Sequence, residues 1–379
     1  MQTNSAHPVP EPPILVQAKP DRTERPQLNF IIALRALAAV VIVWHHFALY
    51  PPLNEWARPI LGELLTWFEV HARSTQIFFV LGGFVLAHTL AARRWRVGAL
   101  LVFLLRRYCR LGLPYLAVIA LVLPIYAFAR NWVPESVLGG TVTWPQFLAH
   151  LFFLQDILGY EALSAGLWFV CINIQLCILF ASMLCVRDCG PGRRVDVIGL
   201  LGWGMAAFSL FYANLTPGWD VWAIYFFPYF FMGVVVWRST HGGRKIEFWA
   251  YQALFVLAML LEWRWRLSVA MVVGYLLLWS LDSGFAARWP RHPALLWLGK
   301  ISYSLFLVHF PVLVFVAALW SHLEWTSPEL AGLGLLLAFI GSIGLASVFH
   351  RWIEAPSAQA SRKIAWPGQQ RQLALSIGK

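Results

Sequence analysis

The chain has 379 residues, 59 % of them hydrophobic and 12 % charged, with 21 tryptophans and a mean hydropathy of +0.64. These proportions exclude an ordinary soluble domain and predict an all-α, polytopic bundle of membrane helices. The net charge of +11 does not point to a nucleic acid, because the way the cations are distributed fits membrane topology instead.

Residues 1–27 are Pro-rich and polar with no apolar core of a signal peptide, so a disordered cytosolic tail is expected there. Ten apolar segments follow, at 28–49, 72–92, 100–128, 166–186, 195–213, 220–237, 246–263, 266–282, 301–320 and 330–350. Alternating the loops between two sides splits the loop and tail Lys and Arg 23 to 5. The positive-inside rule then places both termini in the cytosol and the connection around Ala57 outside, where it is expected to be exposed. Residues 28–356 form one transmembrane domain, and 357–379 a cytosolic tail. The five cysteines contain no CxxC pair and lie in or beside apolar spans, as packing residues would; no metal site is expected.

The first span holds LRALAAVVIVWHHF, Leu34 to Phe47. An ionisable residue inside a span is costly and marks a functional site by default. Arg35 and His46 are eleven residues apart, which on a helix is three turns plus about 20°, so they share one face about 16 Å apart. His45 points about 100° away. The plain alternative is that Arg35 anchors the helix on the inside and the histidines are interfacial.

The second span ends in IFFVLGGFVLA, where Gly82 and Gly83 let another helix or a ligand come close. Then come RRWR and FLLRRYCRLGLPY. Arg107 and Arg110 lie three apart on one helix face with Arg106 adjacent, and Pro114 kinks or starts the span proper. Loop arginines are expected from topology alone, but this group falls at the membrane boundary, and arginine forks suit phosphate groups. The segment of about 130–165, with LAHLFFL, is too short to span and is expected to cap the outer face. Asn173 and Gln175 are polar groups in the fourth span, each satisfiable by a neighbouring helix. His309 lies two residues before Pro311 in ISYSLFLVHFPVL, and a core histidine bonded to a neighbour is its plain reading. In FHRWIEAP, Arg351 and Glu354 are spaced for an ion pair.

Taken together, these stretches resemble the acyltransferase-3 family of integral membrane O-acyltransferases. The matching features are Arg35 and His46 at their spacing, FFVLGGFVLA, RRYCRLGLPY, LWFVCINIQL, KISYSLFLVHFPV and HRWIEAP, in order over roughly 28–356. Asn173 departs from the family, which often has a glutamate there. The resemblance implies transfer of an acyl group, usually acetyl from acetyl-CoA, to a hydroxyl of a cell-envelope or exported glycan, in the inner membrane of a bacterium.

The residues fit that chemistry. Acyl transfer to an alcohol needs a base for the hydroxyl proton and a donor for the developing oxyanion. His46, with Arg35, is the catalytic candidate; Arg106, Arg107 and Arg110 are the candidate CoA-phosphate cluster; His309, Asn173 and Gln175 are the candidate acceptor-site residues. The alternative is a secondary transporter or flippase that uses Arg35, His46 and His309 as an intramembrane relay.

Overall fold

The computed structural model describes residues 24–72, 74–189 and 195–367. Most of the expected N-terminal tail, the loop residues Arg73, Arg193 and Arg194, and residues 368–379 lie outside the described residues. Every regular element described is helical, because a segment surrounded by lipid must satisfy its backbone N–H and C=O groups internally.

In chain order the main helices begin with α1 (Glu24–Leu49), α2 (Leu53–His71), α3 (Thr75–Leu90), α4 (Val97–Arg107), α5 (Leu113–Ala129), α6 (Trp144–Leu151) and α7 (Leu167–Cys189). They continue with α8 (Val197–Phe211), α9 (Ala223–His241), α10 (Lys245–Leu261), α11 (Trp265–Asp282), α12 (Pro293–Lys300), α13 (Ser302–His322), α14 (Pro328–Phe349) and α15 (Ala355–Lys363). All ten expected spans are helical. Among the described residues, seven helical stretches are long and apolar enough to cross a membrane, or eight if the bent pair α2–α3 is one span. Of the ten expected spans, α3, α9 and α10 are not among the seven; with 16 and 17 residues, α3 and α10 fall short of the roughly 20 that a hydrocarbon core asks for. The chain is an integral membrane protein of the all-helical class.

Residues 53–71 are not the exposed connection that the loop count implied. They form α2, which packs on α1 and α14 and buries Ala57 completely. Leu53, Ala57, Leu61 and Leu65 recur every fourth residue, the stripe that a helix buries.

Two π-helical turns, Tyr108–Gly112 and His350–Glu354, interrupt otherwise continuous helices. Each ends two residues before a proline, Pro114 or Pro356. A proline has no N–H for the carbonyl four residues back and its ring crowds that carbonyl, so the helix widens locally. The Tyr303 hydroxyl donates to the Leu111 carbonyl in the first of these turns at 2.8 Å.

Two apolar cores build the bundle. One is centred on α3, α9, α10 and α11, the other on α2, α5, α13 and α14, while α1 and α7 contribute to both. The closest helix contact belongs to the first core. A side chain on Gly83 would collide with the Phe230 carbonyl, and one on Gly233 with the Val80 carbonyl, so α3 and α9 touch backbone to backbone. Gly82, one residue away, meets nothing within 4 Å.

The segment after α5 folds over one end of the bundle. Thr143 and Gln146 cap α6 reciprocally. His150 donates from Nδ1 to the Gln146 carbonyl (2.8 Å) and accepts from Leu163 N–H at Nε2 (3.1 Å), which ties the returning chain to α6.

Candidate active site

Helix α1 runs along the seam between the two cores and reaches one cavity near its C-terminal end and another near its middle. His46 lines one of about 730 Å³, and Arg35 lines another of about 190 Å³. The separation of the two side chains that helical phase predicted thus becomes a separation of two chambers.

In the larger cavity His46 Nδ1 lies 2.7 Å from His309 Nε2, with the rings stacked at 15°. His309 Nδ1 is 3.1 Å from the Leu305 carbonyl. A carbonyl only accepts, so Nδ1 of His309 carries the proton, and its Nε2, bare in the neutral ring, accepts from His46 Nδ1–H. Neutral His46 is left with a bare Nε2 that has no protein partner among the described residues. One carbonyl therefore fixes two tautomers and aims a proton acceptor at the cavity. His45 is used differently, since its Nδ1 donates to the Phe68 carbonyl of α2 at 2.9 Å.

The rest of this cavity is acidic. Glu69, Glu135, Asp156, Glu161 and Asp220 line it against one guanidinium, Arg266. Glu69 is paired with Arg58 (2.9 Å); the other four form no ion pair with a described residue. Burial, helped by nearby Asp220, raises the Asp156 carboxyl above the usual carboxylate range. Gln76, 2 % exposed, accepts from Thr75 at its carbonyl oxygen and keeps its amide N–H groups for the cavity. Tyr50 lines the same wall, its ring 5.9 Å from that of His46.

The smaller cavity has the opposite charge. Arg35, Arg107 and Arg110 line it with Asn173, Tyr303, Gly82 and one carboxylate, Glu354. That carboxylate is already engaged: it accepts from Ser304 Oγ at 2.6 Å and pairs with His350 Nδ1 at 2.9 Å. The expected Arg351–Glu354 pair does not form. The π turn rotates Glu354 inward, and Arg351 is left exposed against Trp352. Arg110 and Glu354 both come from π turns, so the two widened segments place these charges together.

Two further candidate residues line neither cavity. Arg106 donates to the Ile364 carbonyl at 2.8 Å and stacks on Trp366, fastening α15 and the chain after it. Gln175 donates to the Val221 carbonyl (3.1 Å) and accepts from Ala223 N–H (2.8 Å), which fixes the start of α9. Asn173 remains in the arginine-lined cavity and accepts from Cys177 Sγ at 3.5 Å. Among the described residues no group of three His, Cys, Asp or Glu side chains is arranged to hold a metal.

Sequence reasoning did not find Glu354 as a cavity residue, nor Gln76, Asp156, Glu161 and Asp220. The prolines two residues past each π turn were the available signal for the first. The acidic wall is assembled from α2, the segment between α5 and α7 and the segment between α8 and α9, and leaves no local pattern.

No curated protein and no solved structure matches the chain. One family profile does, described as an acyltransferase domain, over residues 28–351.

Proposed function

Because the chain belongs to the acyltransferase-3 family and is therefore a membrane acyltransferase, we propose that it moves an acyl group, acetyl above all, from acyl-CoA to a hydroxyl of a cell-envelope or exported glycan. The observation that carries this reading is the His46–His309 couple facing a polar cavity, with a cationic cavity about three turns away along the same helix.

The arginine-lined cavity suits the donor. Three guanidiniums face one carboxylate that already has two partners, so the site has positive charge to spare for phosphate groups. Arg107 and Arg110 would hold the phosphates at the mouth, and Arg35, half-buried, lies further in along α1. The histidine-lined cavity suits a polyhydroxylated acceptor, whose O–H groups can donate to Asp156, Glu161 and Asp220.

The chemistry then follows from the tautomers. His46 Nε2 takes the proton of the acceptor hydroxyl as its oxygen bonds to the acyl carbon, and returns that proton to the thiolate as the C–S bond breaks. His309 accepts from His46 Nδ1–H throughout, so the imidazolium formed in between keeps its orientation. Gln76 and Tyr50 supply donors in the same wall for the developing oxyanion. A flippase would carry one occupant through both chambers; their opposite charges support two different substrates instead.

With the arginine-rich end in the cytosol, a cytosolic acyl-CoA meets its own face and the acceptor enters from outside, in the inner membrane of a bacterium with both termini cytosolic. Mass spectrometry of envelope glycans from cells with and without the protein tests the reading. Loss of an O-acyl mass increment on deletion is expected, and an unchanged acylation pattern would refute the glycan acceptor.

A further inference from the structure

The donor and acceptor cavities are separate, yet the proposed reaction needs the thioester carbon beside His46. Among the described residues one side chain lines both: Phe306. It is 3 % exposed and lies on α13, one turn before His309, with its ring centroid 6.1 Å from that histidine's. On the arginine side its edge packs against Phe169 at 5.2 Å and Phe78 at 6.1 Å. On its other flank is Gly166, where a Cβ would come within 3.0 Å of the Phe306 ring. The ring occupies space that any side chain at 166 would dispute, and at this point a single side chain borders both chambers.

We propose that Phe306 is a specificity-determining residue, the wall that limits the acyl group reaching His46 to a short one and keeps water of the acceptor cavity away from the donor thioester. The inference rests on the acyl-CoA reading above. The balance of the reaction is unchanged: the acceptor oxygen gains the acyl carbon, sulfur leaves, and the hydroxyl proton passes through His46 to the thiolate. Phe306 exchanges no proton and acts by volume alone. Acetyl on a slender arm passes beside such a ring with little displacement, whereas each added methylene must find room between Phe306, Phe169 and Phe78. Until the acyl group has passed the ring, water in the acceptor cavity cannot reach it.

Phe306→Ala and Phe306→Leu test this in two ways. The first readout is CoA release from acetyl-, butyryl- and hexanoyl-CoA, with and without envelope glycan. Phe306→Ala is expected to shift the ratio toward the longer donors by about tenfold or more, the discrimination that a pocket gains per methylene, and to raise release without glycan; Phe306→Leu falls between. The second readout needs no activity. Gly82 lines the arginine-lined cavity and a side chain there meets open space, so a protein carrying Gly82→Cys as its single cysteine is treated with an impermeant thiol reagent in sealed vesicles of either orientation. With Phe306 present, labelling is expected from the arginine-rich face alone; with alanine there, from both faces.

A folded Phe306→Ala protein with the wild-type donor profile and one-sided labelling would overturn the proposal, and if the alanine variant does not fold, the same result for Phe306→Leu overturns it. Wild-type protein that releases no CoA from any donor, while the cysteine of Gly82→Cys opens to both faces in the alanine variant, would refute acyl transfer and uphold the wall.

Discussion

His46 Nδ1 and His309 Nε2 meet at 2.7 Å although 263 residues separate them in the chain. The contact turns two buried histidines into a directed pair, because the Leu305 carbonyl behind His309 fixes which nitrogen of each ring carries its proton. It is the arrangement in which a catalytic histidine is held in one tautomer by an acceptor behind it, here with a second imidazole as the acceptor.

On the proposed mechanism His309 acts as a positioning residue, holding His46 in one tautomer. His309→Ala should lower turnover about 10- to 100-fold, the size of a misplaced reacting group. His309→Gln, whose carbonyl oxygen can accept from His46 Nδ1–H, should recover part of the loss. Steady-state CoA release from both variants at matched folded concentration checks this. Equal loss in both would mean that His309 contributes packing alone.

Arg107 and Arg110 should behave differently from Arg106. Changing the first two to glutamine is expected to weaken CoA binding while the protein still inserts. Arg106→Gln should leave CoA affinity near wild type and expose the chain around Ile364 and Trp366 to proteolysis. Calorimetric CoA titration and limited digestion separate the two roles, and loss of affinity in Arg106→Gln would return it to the donor site.

The paired glycines give a stability prediction. Gly83→Ala puts a methyl group against the Phe230 backbone, and overpacking of this kind costs about 1–3 kcal/mol or more. Gly82→Ala meets open space in the arginine-lined cavity and should melt close to wild type. Thermal melts in detergent compare them; equal midpoints would mean that α3 and α9 do not touch at Gly83.

Topology can be checked at two exposed positions. A cysteine at Gly218 should be labelled from outside and one at Gly242 from the cytosol. The reverse pattern at either site would contradict both termini being cytosolic.

What the sequence could reveal was whatever a single helix decides. The ten helical segments follow from apolar run length, and the different surroundings of His45 and His46 follow from helical phase alone. Contacts between helices were out of reach: nothing local to α1 says that α13 will bring His309 to it. Neighbours in sequence also parted in ways that only packing determines. Arg106 went to the chain just after α15 while Arg107 entered the cavity, and Gly83 met α9 while Gly82 faced open space. Glu354 was misjudged because ordinary helical spacing was assumed across a π turn.

The most direct test is acceptor-dependent CoA release by His46→Ala and His45→Ala at matched expression. General-base catalysis contributes about 10²–10⁴-fold, so His46→Ala should lose turnover on that scale with its fold retained. His45→Ala should lose far less, since it gives up a hydrogen bond to the Phe68 carbonyl and some packing. An active His46→Ala protein beside an inactive His45→Ala protein would contradict the account.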